Sequence, residues 1–361
     1  MDIPTLKIGD LTARLPIIQG GMGVGISMAN LAAAVANCGG VGVISGVEIG
    51  FYRPDYQINK KRANLEGLLE QIEKARALSP GKILGVNIMV AINNFEETVR
   101  TAVQAGIDII FSGAGLPLNL PALVQESNVK LGPIISSPRA AALICKHWEK
   151  KHGRVPDVLV LEGPQAGGHL GFSTEELEHP EDYALERLLP EVLAAVKPYD
   201  ERHGRRIPVV AAGGLWDGAD IARMLRLGAA GVQMATRFIT TEECDASPGF
   251  KAEHLRAKKE DIGIIKSPVG MPGRAIKNAY LERVAVGEGS PVKCAYNCLQ
   301  PCVPSKSPYC IADALIHAQK GELDKGFAFA GANAWRAERI TTVKEVMEEL
   351  ERELKSALNL A

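Results

Sequence analysis

Val158-Leu159-Val160-Leu161 runs without a polar break into Glu162-Gly163-Pro164-Gln165-Ala166-Gly167-Gly168-His169-Leu170-Gly171. The apolar run reads as a strand buried on both faces. The glycines that follow free the backbone to approach a ligand closely, and they place one imidazole on the loop. A strand end of this kind is where α/β barrels carry out chemistry.

Seven further runs of the same type occur: Pro16–Gln19, Val41–Ile44, Ile83–Asn87, Asp108–Phe111, Gly132–Ile135, Pro208–Ala211 and Gly231–Met234. Between them, apolar residues at three- and four-residue spacing predict helices over Ala29–Asn37, Asn64–Leu78, Phe95–Ala105, Ala140–Lys151, Leu185–Val196 and Gly218–Leu227. Eight strand-and-connection units close naturally into a (β/α)8 TIM barrel, with a doubly wound open sheet as the alternative. The rhythm changes near Thr240. The expected division is therefore a barrel over 1–240, a lid or cap over 241–330, and a C-terminal segment over 331–361 whose helix packs back on the barrel. Within the cap, Gly249–Lys259 and Ile311–Lys320 read as helical and Lys266–Arg274 as a Pro/Gly-rich loop, while Thr341–Leu358 is the final amphipathic helix. Gly331–Arg336 either reaches back to the active site or docks that helix, with docking the preferred reading.

A chain of 361 residues can bury a large core. Its 41 basic and 42 acidic residues nearly cancel, so charge points to neither nucleic acid nor an anionic membrane as partner, and a small-molecule substrate fits better. No apolar stretch reaches the 18 or so residues a membrane span needs, and the start at Met1-Asp2-Ile3-Pro4 lacks a basic-then-apolar leader, so the expected location is cytoplasmic. Oligomeric state stays open, with a homodimer as one reading.

Two more glycine loops leave strand ends. Gly213-Gly214, together with Ala235-Thr236 after the eighth strand, has the place and chemistry of the phosphate site that many barrels build there. Gly20–Gly25 lacks the third glycine of a dinucleotide fingerprint. Asn87, a polar end to an apolar strand, is a hydrogen-bond partner for a ligand ring or a turn cap. His169 is the candidate catalytic base, flanked by Gly167, Gly168 and Gly171; the other six histidines read as solvated.

These motifs in register, over roughly residues 10–240, resemble the nitronate monooxygenase family, formerly called 2-nitropropane dioxygenase. They are Pro16–Met22, Gly85-Val86-Asn87, Ala166–Gly171, Ala211–Gly214 and Gln233–Phe238. The family shares its FMN-binding barrel with a flavin-dependent enoyl-ACP reductase. The resemblance implies that Gly21 and Met22 line the flavin, that Asn87 bonds its ring, and that Gln165 and Gly168 also touch the cofactor. It implies further that Gly213, Gly214, Ala235 and Thr236 hold the FMN phosphate, and that His169 is the catalytic histidine. Pro164-Gln165 departs from the acidic residue many relatives carry there. The implied activity is oxidation of alkyl nitronates by oxygen to a carbonyl compound and nitrite. The alternatives are an NAD(P)H-fed enoyl-ACP-type reductase, and a flavin- and metal-containing redox sensor or electron-transfer protein.

Outside the motif set, Cys294, Cys298, Cys302 and Cys310 place four of the seven cysteines within one short stretch interrupted by Pro301, Pro304 and Pro308. Four thiolates suit a [4Fe–4S] cluster, or less well zinc, and the alternative is ordinary reduced thiols. A cluster beside the flavin favours the reductase over an oxygen-using enzyme.

Overall fold

A computed structural model describes residues 2–288 and 292–360. Eight parallel strands form the central sheet: β1 (Ile17–Gln19), β2 (Gly42–Ser45), β3 (Leu84–Met89), β4 (Ile109–Gly113), β5 (Lys130–Ile135), β6 (Leu159–Glu162), β7 (Val209–Ala212) and β8 (Gly231–Met234). Each pairs with its neighbours in chain order, and β8 pairs with β1 in register Gln233↔Ile18. An Ile18↔Val41 bridge, with N–H···O distances of 2.9 Å on both sides, joins β1 to the start of β2 and closes the TIM barrel.

The barrel interior follows from strand alternation, which sends every second side chain inward. Ile18, Val43, Ile109, Phe111, Val160 and Val210 pack there, with little or no exposure. Phe111 is the large member, and glycines on the two flanking strands make room for it. A Cβ on Gly85 would stand 2.9 Å, and one on Gly132 2.7 Å, from the Phe111 ring. A hairpin, Leu6–Ile8 against Leu11–Ala13, adds Leu6, Ile8 and Ala13 to this core; it was not legible in the sequence because each arm has only three residues.

The outer helices are α1 (Ala29–Asn37), α2 (Lys60–Leu78), α3 (Phe95–Gln104), α4 (Pro138–His152), α5 (Leu185–His203) and α6 (Gly218–Arg226). Five match the periodicity to within a few residues. Helix α5 runs past the expected stop at Val196, through Pro198 to a Gly204 cap at φ 61°. Its buried face continues across the proline from Val192 and Val196 to Tyr199, and that burial outweighs the missing N–H. The last helix, α9 (Val343–Ala357), buries Val346, Leu350 and Leu354 and packs on α6, while α7 (Pro248–Arg256) and α8 (Ile311–Gln319) precede it.

Lys266–Arg274 is no loop throughout. Ile262–Lys266 pairs antiparallel with Pro272–Ile276, leaving only residues 267–271 as the hairpin turn. Proline at the head of the second arm and glycine at its second position concealed a strand that does form. Among the described residues, no helix is long and apolar enough to cross a membrane.

Candidate functional site

That hairpin takes a third strand from the barrel. Gly168–His169 pairs with its second arm in register Gly273↔His169 and Arg274↔Gly168, and Leu170 N–H donates to Pro272 O at 2.9 Å. Gly168 sits at φ 78°, and a Cβ on Gly167 would meet the Ala330 carbonyl carbon at 2.5 Å, so this turn needs its glycines. The buried Arg274 guanidinium donates to the carbonyls of Pro164 and Ala166, clamping the loop that β6 feeds. The His169 ring is then fixed twice. Its Nε2 lies 2.7 Å from Ser267 Oγ, and Phe329 meets it edge-on with ring centroids 5.0 Å apart. Enclosure by this packing drops its pKa to about 4, so the imidazole is neutral at pH 7.

His169 borders a cavity of about 230 Å³ at the C-terminal mouth of the barrel. Gly21, Met22, Asn87, Gly168, Ala235 and Thr236 line it as well. A Cβ on Gly21 would stand 2.5 Å from Asn87 Cβ, so the glycine is what lets the first loop lie against that side chain. A smaller cavity of about 70 Å³ adjoins it, sharing Glu162, Gly167, Gln233, Ala235 and Thr236 with the first. Gly213 (φ 100°) and Gly214 (φ 77°) form its floor. The backbone N–H groups of Gly213, Gly214 and Thr236 donate to no acceptor among the described residues. Unpaired donors beside a small cavity, reached through left-handed glycines, are a fit for a phosphate, and the adjoining larger cavity has room for the remainder of a phosphate-bearing ligand. Burial raises the Glu162 carboxyl to about 8, so it stands protonated between the two cavities.

Of the expected site residues, the structure brings together Gly21, Met22, Asn87, Gly168 and His169 in the larger cavity and Gly213 and Gly214 in the smaller, with Ala235 and Thr236 in both. Gln165 lines neither cavity. Its side chain is exposed and lies over Gly214 outside both cavities, while its carbonyl accepts from Ala332 N–H at 3.1 Å. Gly331–Arg336 takes the first of its two readings and reaches back to the site. Gly331 N–H donates to Thr236 Oγ1 at 3.0 Å, Asn333 Nδ2 donates to Gly214 O at 2.6 Å, and both residues line the smaller cavity. Glu48, Glu162, Ser267 and Phe329 escaped the sequence reading; only Glu162, directly after a strand, carried a positional signal.

Among the described residues, no three His, Cys, Asp or Glu side chains gather as a metal site, so nothing supports the [4Fe–4S] or zinc centre expected on Cys294, Cys298, Cys302 and Cys310. The segment is laid as a ribbon along the loop after β3, with Leu299 bridged to Ile92, Asn93 N–H donating to Cys298 O, and Gln300 N–H donating to Ala91 O. Cys294 is exposed, Cys298 lines the larger cavity, Cys302 Sγ lies 3.3 Å from Ser307 Oγ, and Cys310 precedes α8 at its N-cap. Burial holds the Cys298 thiol up at about 12.

His254 also differs from expectation. It is buried in α7 with its ring nitrogens 3.2 Å from Phe250 O and 3.3 Å from Phe329 O, and burial outweighs those two carbonyls to bring its pKa to about 4.

The family model described as nitronate monooxygenase matches residues 5–353. A probable nitronate monooxygenase of Staphylococcus haemolyticus is 30% identical over 301 residues, covering 78% of this chain and 80% of that protein. The (3aS,4S,5R,7aS)-5-hydroxy-7a-methyl-1-oxo-octahydro-1H-indene-4-carboxyl-CoA dehydrogenase of Mycobacterium tuberculosis is 29% identical over 272 residues, or 75% of this chain. The chain spans 66% of that dehydrogenase's length and 62% of its namesake from Rhodococcus jostii, under two thirds in both cases. Among solved structures, FabK from Thermotoga maritima superposes with a TM-score of 0.74 at 24% identity, covering 96% of this chain and 94% of that one. A nitroalkane oxidase from Streptomyces ansochromogenes gives 0.72 at 21%, covering 96% and 97%. Both share the barrel fold.

Proposed function

The chain belongs to the nitronate monooxygenase family of flavin oxidoreductases, and from that premise we propose that it is an FMN-dependent enzyme oxidising alkyl nitronates with oxygen to a carbonyl compound and nitrite. The observation that carries this reading is the neutral, Ser267-anchored His169 imidazole on the wall of the barrel-mouth cavity. FMN, when bound, supplies the redox chemistry.

The unpaired N–H groups of Gly213, Gly214 and Thr236 would hold the FMN phosphate, and Gly21, Met22, Asn87 and Gly168 would flank the ring system in the larger cavity. His169 handles the proton. With Nε2–H donated to Ser267 Oγ, Nδ1 keeps the lone pair that accepts the acidic α-proton of a neutral nitroalkane, leaving the nitronate. Neutrality at pH 7 makes that lone pair available without a prior deprotonation. Phe329 and the Gly273 strand hold the ring in place, so little rearrangement accompanies the transfer.

A second reading has its own support. The cavity wall includes Val24, Ile26, Val47, Val269, Ile311 and Leu315, an apolar surface suited to the acyl part of a thioester, and two relatives are carboxyl-CoA dehydrogenases. The same base then serves the α-carbon of the thioester. Anaerobic reduction of FMN-loaded protein separates the readings. Bleaching by a nitronate, reversed by air with nitrite released, supports the first. Bleaching only by NADH, NADPH or a saturated acyl thioester replaces it with the second.

A further inference from the structure

The barrel places a second polar group across the mouth from His169. Glu48 leaves β2 and His169 leaves β6, four strands apart on a ring of eight, so their loops rise on opposite sides of the cavity that both residues line. Glu48 is held with care. It adopts φ 47°, a left-handed conformation unfavourable for a residue with a Cβ. Its Oε2 accepts from the Tyr56 hydroxyl and, at 3.0 Å, from Asn64 Nδ2. Gly50 N–H donates to Asn64 Oδ1 at 2.9 Å, and Arg53 ties the same loop to α2 through Glu66 and Glu70. Burial first, and Glu48 second, push the Tyr56 phenol far above its ordinary range, which keeps it a donor. Oε1 takes no hydrogen bond among the described residues.

The charge around it is one-sided. Among the described residues, no lysine or arginine lines either cavity. A substrate group arriving at Glu48 thus meets a fixed acceptor with one free oxygen and no lysine or arginine on the cavity wall beside it.

We propose that Glu48 is a specificity-determining residue, accepting a hydrogen bond from a protic or cationic group at the end of the substrate remote from His169, and that the site takes hydroxyl- or ammonium-bearing substrates and turns away those ending in a carboxylate. This rests on the proposed reading of the site as one that oxidises nitro compounds, and it names the class among them. Like-charge juxtaposition in an enclosed site is strongly unfavourable, whereas a donor offered to a buried carboxylate is a charge-assisted bond.

The test uses anaerobic, FMN-loaded protein and calorimetric titration with ω-nitroalcohols, ω-nitroalkylamines and ω-nitrocarboxylates, from propyl to hexyl. At the best chain length the alcohol or amine should bind at least about tenfold more tightly than the matching carboxylate. Glu48→Gln keeps an oxygen for Tyr56 and Asn64, and it should bring that ratio to within about threefold, chiefly by admitting the carboxylate. A wild-type ratio near one overturns the proposal whatever the variant does, and so does a large ratio that Glu48→Gln leaves unchanged. If the ratios behave as expected but no nitro compound bleaches the flavin, the activity reading falls and the role of Glu48 stands.

Discussion

His169 Nε2 and Ser267 Oγ are 98 residues apart in the chain and 2.7 Å apart in space. The barrel supplies the imidazole, and the hairpin after α7 supplies its partner. Ser267 Oγ in turn accepts from Val269 N–H at 3.3 Å, so the hydroxyl that orients the ring is itself held by the hairpin turn.

His169→Ala should retain FMN and lose about 100-fold or more in kcat/KM, the usual contribution of a positioned base. Ser267→Ala should lose less and keep the flavin. Because the base acts deprotonated and its pKa is held down to about 4, the acid limb of the kcat/KM profile should fall near that value and not near 6.5. A pH profile with saturating FMN decides, and full activity in His169→Ala sinks the assignment.

Gly213→Ala should release FMN. At φ 100° an alanine is strained, and its Cβ would stand 2.9 Å from Gly163 O and 3.0 Å from Ala166 N, both backbone atoms that cannot step aside. A cost of about 1–3 kcal/mol in the cradle predicts a rise in the FMN dissociation constant of about tenfold or more. Fluorescence titration of the apoprotein with FMN measures it.

Gly132→Ala should destabilise the barrel by about 1–3 kcal/mol through its 2.7 Å approach to the Phe111 ring. Combining it with Phe111→Leu, which removes the obstructing ring, should recover part of the loss. Urea midpoints of the two single variants and the double variant form the cycle, and strict additivity would contradict the packing described.

Anaerobically purified protein should contain no stoichiometric iron, acid-labile sulfide or zinc, and Cys294→Ser together with Cys302→Ser should leave the flavin content unchanged. Metal analysis on protein that was never exposed to air checks both.

Below pH 6.5 stability should decline on acidification, because two buried imidazoles outweigh the Glu162 carboxyl, whose raised pKa of about 8 acts in the opposite direction. His169 and His254 both have folded-state pKa values near 4 against an ordinary value of 6.5. The unfolded chain therefore binds more protons throughout that interval, and stability present above it is lost as pH falls toward 4, at up to about 1.4 kcal/mol per unit for each group. Denaturant midpoints at several pH values give the slope, and His254→Gln should make it shallower.

The eight strands could be read because both faces of each are covered, which leaves apolar runs such as Val158–Leu161 with no polar interruption. The Gly213-Gly214 turn at the smaller cavity was readable for a related reason, since backbone conformation, more than side-chain chemistry, selects the residue there. What pattern could not supply was anything set by pairing distant in sequence. Pro272–Ile276 looks like a loop until Gly168–His169 and Ile262–Lys266 pair with it, and Asn333 looks like a linker until it reaches Gly214. The cysteines erred in the opposite direction. Their density along the chain suggested a metal centre, yet among the described residues no group of three ligating side chains forms. Glu48 gave no signal, because an acidic residue in a loop is ordinary until its φ and its two donors are known.

The strand pairing at His169 also sets an order of completion during synthesis. All eight barrel strands have been made by Met234, when Pro272–Ile276 and Asn333 do not yet exist. A chain stopped at residue 240 carries the strands and the Gly213-Gly214 turn, but the imidazole lacks its β partner, the Ser267 hydroxyl and the Phe329 ring. The scaffold precedes the reactive group. Growth past residue 276 adds the strand and the hydroxyl, and growth past Asn333 adds the ring and the last wall of the smaller cavity, so the setting of His169 is the final feature a newborn molecule completes.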